Sequence, residues 1–331
     1  MNGVYSELIL AELPSQYSPS AGFTNVAFNG EGRGYVATAT GGVNNAGQIF
    51  GFWSDIGRAV QQQGFPSAPM RAQWDLPSFA RAPSSIVLAP GGKLLLTNAN
   101  GVSLFIVPSA MSGNWSGSQI LAIQNCLGVT VDPVTDYIYG ATSSGGANGK
   151  GELFKLSRGG PTGYTKTTLY SFTAYDGTPS SRPTLGPNGA IYGVTRNGGY
   201  NAFGSVYVVQ PFSATIYNTS YIAGYQLTTL AMFSGYDGAA PISPPLLDSY
   251  GAVYGTTSAG GPSNKGVVYK VDKAPYPNAQ RMKYTLYTFG SSASDGVAPT
   301  APLIFSGDGG LIGTNVGGDA TNGGSVFKVN P

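Results

Sequence analysis

"VYGTTSAGGPSNKGVVYKV", residues Val253–Val271, sets down a short apolar run, a glycine-rich gap and a second apolar run. Nearly the same text returns as "IYGATSSGGANGKGELFKL" (138–156), "IYGVTRNGGYNAFGSVYVV" (191–209) and "LIGTNVGGDATNGGSVFKV" (311–329), with a looser copy, "GYVATATGGVNNAGQIFGF", at 34–52. The glycine that opens the second run, Gly47, Gly151, Gly204, Gly266 and Gly324, recurs at spacings of 104, 53, 62 and 58 residues. The first spacing is two units long. Its middle holds "KLLLTNANGVSLFIV" (93–107), which keeps both apolar runs and loses the glycine loop. Six units of about 50 residues predict a propeller.

Each unit is written in runs rich in Val, Ile, Tyr, Phe and Thr, separated by Gly, Pro, Asn and Asp, which are strands and turns rather than helices. The fourth unit spells four strands, "RPTLG", "AIYGVT", "GSVYVV" and "YQLTTLAMF", and joins the first two through "PNG" (187–189), where Asn and Gly tolerate positive φ. The predicted fold is all-β: a six-bladed β-propeller of four-stranded blades in one domain spanning 1–331. The blades fall at about 20–76, 83–124, 126–172, 182–233, 243–289 and 300–329 plus 4–13. The chain ends on the third-strand run "GSVFKV", and "VYSELILAEL" (4–13) resembles the fourth-strand runs "YTKTTLYSF" and "YTLYTF". The N-terminal strand is therefore expected to complete the last blade and close the ring.

Charged residues are only 10% of the chain and net charge is +2, which leaves no electrostatic footprint for nucleic acid or an anionic membrane. Apolar runs such as Leu104–Val107 are too short to cross a bilayer as helices. The N-terminus, "MNGVYSELILAELPSQ", has neither the basic region nor the apolar core of a secretory signal. A single cysteine, Cys126, excludes an intramolecular disulfide and reads as a small buried hydrophobe. Histidine is absent, which removes the commonest general base and metal ligand and any Ser-His pair.

The unit "[IV]YG-x-T-x-x-GG…G-x-[VL]-[FY]-K-[LV]", followed by "LYSF…DG…P" as at Leu169–Pro179 and Leu286–Pro299, resembles the GloVer-type tandem repeats. The resemblance is clear from about 137 onward and weak over 60–125. It implies a repeat architecture typical of large bacterial surface or secreted proteins. It brings no catalytic residues with it.

Two sets of loops should share one rim, the "GG" loops and the "DG" loops "AYDGTP" (174–179), "GYDGAA" (235–240) and "ASDGVA" (293–298). Asp176, Asp237 and Asp295 recur there. As turn residues their carboxylates would bond backbone amides; as a functional set they would form a carboxylate ring for a cationic ligand. Calcium needs six to eight oxygens in one compact site, which carboxylates on separate blades do not supply. Tyr175, Tyr200 and Tyr236 sit beside these positions and are candidates for protein or sugar contact. No P-loop or G-x-S-x-G elbow occurs.

No cofactor, metal site or catalytic residue is expected from these motifs. A composition that looks extracellular, on a chain whose start looks cytosolic, suggests synthesis in the cytosol and exposure outside, in a virion or at the cell exterior. The expectation is a non-enzymatic assembly or adhesion module, foremost a phage tail or receptor-binding component. Its partners would be other subunits of an assembly or a surface glycan or receptor. A glycan-binding or glycan-cleaving propeller and a bacterial surface protein are the alternatives.

Overall fold

Alternation of buried and exposed side chains along short strands needs a second layer on each face, and stacked four-stranded sheets supply it. The computed structural model describes residues 24–28, 33–42, 45–53, 72–107, 115–160, 163–216, 219–273, 281–291, 295–317 and 324–331. It is an all-β structure with six antiparallel sheets, the blades of a six-bladed β-propeller. The only helical segments among the described residues are single 3-10 turns at Ser78–Ala80 and Pro187–Gly189. No helix of the described residues is long and apolar enough to cross a membrane.

The chain divides into two compact units, Met1–Tyr137 with Arg158–Thr165, and Ile138–Ser157 with Lys166–Pro331. In the first, one sheet runs Ala27–Phe28, Arg33–Ala37, Gln48–Trp53 and Ala72–Asp75, and the next Ser85–Ala89, Lys93–Asn98, Gly101–Ile106 and Ser116–Ala122. Ile49, Leu76, Ile86, Leu94 and Phe105 form a buried core with Trp74 and Trp115 packed against it. The Asn25 amide behaves like a short piece of strand: its Nδ2 donates to the Ile86 carbonyl at 2.8 Å, and its Oδ1 accepts from the Ile86 N–H at 3.1 Å.

The second unit holds the hairpin Ile138–Thr142 with Glu152–Arg158 and the fourth, fifth and sixth sheets. Its repeats show why the motif is spelled as it is. The glycine of each "YG", and of the "IG" in the last copy, lies under an aromatic ring of the paired strand. A Cβ on Gly140 or Gly313 would stand 2.3 or 2.4 Å from the Phe154 or Phe327 ring, and on Gly193 or Gly255 2.2 or 2.3 Å from the Tyr207 or Tyr269 hydroxyl. The glycine before the third strand has φ of +101°, +99° and +96° at Gly151, Gly204 and Gly266, and each backs onto a proline Cδ of the following unit, Pro179, Pro241 or Pro299. The threonine of "YGxT" ties the glycine loop down: the Glu152 and Val267 N–H groups donate to the Thr142 and Thr257 hydroxyls, each at 3.1 Å. Blades join through edge-to-face aromatic pairs, Phe172 with Tyr207, Phe233 with Tyr269 and Phe289 with Phe327, at 5.1, 5.0 and 5.0 Å between centroids.

The predicted "PNG" corner is a tight turn with Asn188 at φ 56° and Gly189 at φ 72°. The segment 211–224 extends its hairpin beyond the length of the other blades. Strands Ser205–Ile216 and Thr219–Met232 stay paired along their length, with register shifts at Val206/Tyr207 and Phe212/Ser213. Apolar and β-branched residues alternating on both sides of the turn favour pairing over a loop. In the sixth sheet, Leu311–Gly317 pairs with Ser325–Val329, and the expected closing strand 4–13 lies outside the described residues.

Candidate functional site

The "DG" aspartates lie in the turns that follow the fourth strands, and each has a defined job. Asp176 Oδ2 accepts from the Thr173 N–H at 2.9 Å and from the Tyr170 hydroxyl at 2.9 Å. Asp295 Oδ2 accepts from the Gly290 N–H at 2.8 Å, and its Oδ1 from the Tyr287 hydroxyl at 3.0 Å. In both blades a tyrosine two residues before the terminal phenylalanine reaches the aspartate that caps the following turn. Burial raises the pKa of Tyr170, to about 12, and that of Tyr287 as well, with the carboxylate reinforcing the effect on each. These tyrosines are hydrogen-bond donors at neutral pH.

The fourth blade breaks the pattern. Register is fixed by the N–H that reaches back to the third-strand loop: Leu76 to Gly47, Ile123 to Asn100, Phe172 to Gly151, Phe233 to Gly204 and Phe289 to Gly266, all at 3.0 or 3.1 Å. Two residues earlier stand Trp74, Leu121, Tyr170, Ala231 and Tyr287. The alanine alone brings no large side chain. At that place the surface opens into a cleft of about 600 Å³, walled by Thr229, Ala231, Met232, Asp237, Arg281 and Lys283 among others.

The chemistry of this cleft is an ion pair. Asp237 Oδ1 accepts from the Ser234 N–H at 2.8 Å, as in the other caps, while Oδ2 meets Lys283 Nζ of the next blade at 2.6 Å. Burial pushes the Asp237 carboxyl up, but the Lys283 and Ser234 hydrogen bonds more than offset it, and the net shift is downward. Lys283 also donates to the Met232 carbonyl, and its nitrogen lies 4.4 Å from the centroid of the Phe233 ring. Arg281 Nη1 donates to the Asp272 carbonyl at 3.3 Å. An ammonium with two of its three protons engaged can give the third to a carbonyl or anionic oxygen of a ligand. The carboxylate can accept a hydroxyl proton.

The exposed tyrosines Tyr175, Tyr200 and Tyr236 are 59%, 87% and 76% accessible, and none lines this cleft. Of the six residues singled out from sequence, only Asp237 belongs to it. Lys283, Arg281 and Ala231 were not singled out. A second cavity, of about 350 Å³ in the first unit, is lined by Trp74, Phe79, Phe105 and Trp115, with the two tryptophan rings 3.9 Å apart. Cys126 is buried and burial pushes its thiol up to about 11, so it is not a nucleophile at neutral pH. Glu152, also buried, pairs with Lys166 and accepts from the Thr168 hydroxyl at 2.8 Å.

No protein-family model matches the sequence. No curated protein matches it either. Among solved structures, the chain is similar to regucalcin of Agrobacterium tumefaciens, a calcium-binding protein, at 14% identity over 93% of this chain and 90% of that one, with a TM-score of 0.51. It is similar to PorZ, a surface component of the Porphyromonas gingivalis type-IX secretion system, at 15% identity over 92% of this chain and 39% of that one, TM-score 0.51. A gluconolactonase of Xanthomonas campestris aligns at 9% identity over 93% and 85%, TM-score 0.47.

These likenesses correct the functional expectation. The chain was expected to be a non-enzymatic assembly or adhesion module, foremost of a phage virion. Its structural neighbours instead include regucalcin, a likeness of fold at 14% identity, and the expectation of a non-enzymatic phage module is withdrawn. The physical reason is that the repeated residues build a ring, and a ring does not specify a task. The calcium named for regucalcin finds no matching donor set here: among the described residues no three Asp, Glu, His or Cys side chains are grouped to hold a metal ion.

Proposed function

We propose that this chain is a small-molecule hydrolase of the lactonase type, with the Asp237–Lys283 cleft as its site. The observation that carries the reading is the cleft itself: the one described blade in which the large side chain is missing also turns a cation and a carboxylate toward the space. The end-to-end likeness to regucalcin is one of fold, and the reaction class is suggested by the gluconolactonase names among the structures that share it. In such a reaction the Lys283 ammonium would hold the ester carbonyl oxygen as it gains charge, the work of an oxyanion donor. Asp237 stays ionised and orients the attacking water by accepting a hydrogen bond from it. The water oxygen bonds to the carbonyl carbon, the ring C–O bond breaks, and the proton that water loses passes to the departing alkoxide. Because the affinity of the Asp237 carboxylate for a proton is depressed, it is a positioning group more than a strong base.

The test is turnover of a panel of five- and six-membered lactones, read as acid release in weakly buffered solution. Wild type should hydrolyse at least one above the buffer rate. Lys283→Met should lose roughly 10²-fold, the scale of one oxyanion donor. Rates equal to buffer for the whole panel, or a Lys283→Met variant as fast as wild type, would sink the proposal.

A further inference from the structure

We propose that the cleft at Ala231 receives a phenol-type ring from a small molecule, seated where tyrosines stand in the third and fifth blades, with its hydroxyl donating to Asp237. The repeat itself supplies the template. Tyr170 lies 5.2 Å from Phe172 and Tyr287 5.1 Å from Phe289, both edge-to-face, and each hydroxyl ends on the turn-capping aspartate. In the fourth blade the phenylalanine, Phe233, and the aspartate, Asp237, are both kept, while the phenol is missing and the Lys283 ammonium reaches in beside its place, 4.4 Å from the Phe233 centroid and 2.6 Å from Asp237 Oδ2. A flat ring entering the cleft beside Ala231 would share that aromatic neighbour and that acceptor with the ammonium, a carboxylate oxygen having room for a second donor. Lys283 adds what the other two blades lack, a cation beside the hydroxyl, which favours a phenol over an aliphatic alcohol because the phenol carries the more acidic proton. The inference rests on the cleft as a ligand site and not on hydrolysis.

The probe is p-cresol, the tyrosine side chain as a free molecule, titrated into the full chain and followed by ligand-observed NMR and calorimetry. Saturable binding is expected, with toluene and cyclohexanol each weaker by roughly tenfold, the first for want of the hydroxyl and the second for want of the flat ring. Ala231→Tyr should abolish p-cresol binding by filling the cleft from within. Should that variant fail to fold, Ala231→Leu, the side chain that Leu121 places at this position in the second blade, should weaken binding by about tenfold or more through the same loss of space. No saturation by p-cresol, toluene binding as tightly as p-cresol, or unchanged p-cresol binding in both variants would each overturn the proposal. Binding needs no turnover, so a protein that takes p-cresol and hydrolyses no lactone would refute the reaction and leave this inference standing.

Discussion

Tyr207 and Tyr269 are fully buried over the glycines of their neighbouring strands, and neither hydroxyl has a hydrogen-bond partner among the described residues. An unpaired buried hydroxyl costs free energy, and two other blades place Phe154 and Phe327 at the same position. Tyr207→Phe and Tyr269→Phe should therefore each stabilise the protein by about 1 kcal/mol, read as a raised denaturation midpoint with an unchanged slope. The Asp237–Lys283 pair should show in the pH dependence. The folded protein holds this carboxyl below its ordinary value, so it contributes stability above the carboxylate range and loses it as pH falls through the folded value. Asp237→Asn should lower the melting temperature at neutral pH and converge with wild type in acid. A constant difference down to the lowest pH would assign the loss to packing. At this scale the sequence was partly readable. Asp237 was found because it repeats. Lys283 ends "KAPYPNAQRMK", a non-repeating linker in which nothing marks one residue over another, and the alanine of "YQLTTLAMF" shows its meaning only beside "YTKTTLYSF" and "YTLYTF".

Strand and turn choices follow local chemistry, and here the sequence was most readable. The glycine loop needs positive φ at Gly204, whose added Cβ would also stand 2.5 Å from both the Thr195 carbonyl oxygen and Pro241. Gly204→Ala should cost roughly 2–4 kcal/mol, combining backbone strain with a collision. Urea denaturation would measure it, and a loss within 0.5 kcal/mol, the range of neutral surface changes, would show that the loop relaxes. The long hairpin has no counterpart in the other copies, so the repeat does not announce it over 211–224. Beyond Pro211 and Tyr225 its described side chains include Phe212 and Ile222, 48% and 59% exposed, so it buries little. Joining Pro211 to Tyr225 through Asn-Gly should leave the melting temperature within a few degrees of wild type. A fall of tens of degrees would mean that the projection is part of the packed body.

Over the whole chain, repetition made the propeller legible: six copies of one pattern admit few other ways to cover their apolar faces. Its task was not legible, since function sits where a copy departs from the others. The closing strand remains an expectation with a direct test. Ser325–Val329 pairs on one side with Leu311–Gly317, and no described strand pairs its other side. Deleting residues 1–13 should leave that edge open, lowering the melting temperature and promoting association. A peptide of the same residues, added in excess, should restore the melting temperature. Truncated protein as stable and monomeric as the full chain would refute that mode of closure.

The edge-to-face pairs have a consequence for how such a chain is inherited. Phe172, Phe233 and Phe289 each end one copy of the motif and pack into the copy that follows. Each blade is therefore completed by its neighbour's ring. A newly inserted copy must present a ring to its successor and a socket to its predecessor before it can fold in. Position 231 lies outside both obligations only because its own blade has given up the ring that Tyr170 and Tyr287 keep, so a lineage of these proteins should vary its chemistry there while keeping its glycines fixed.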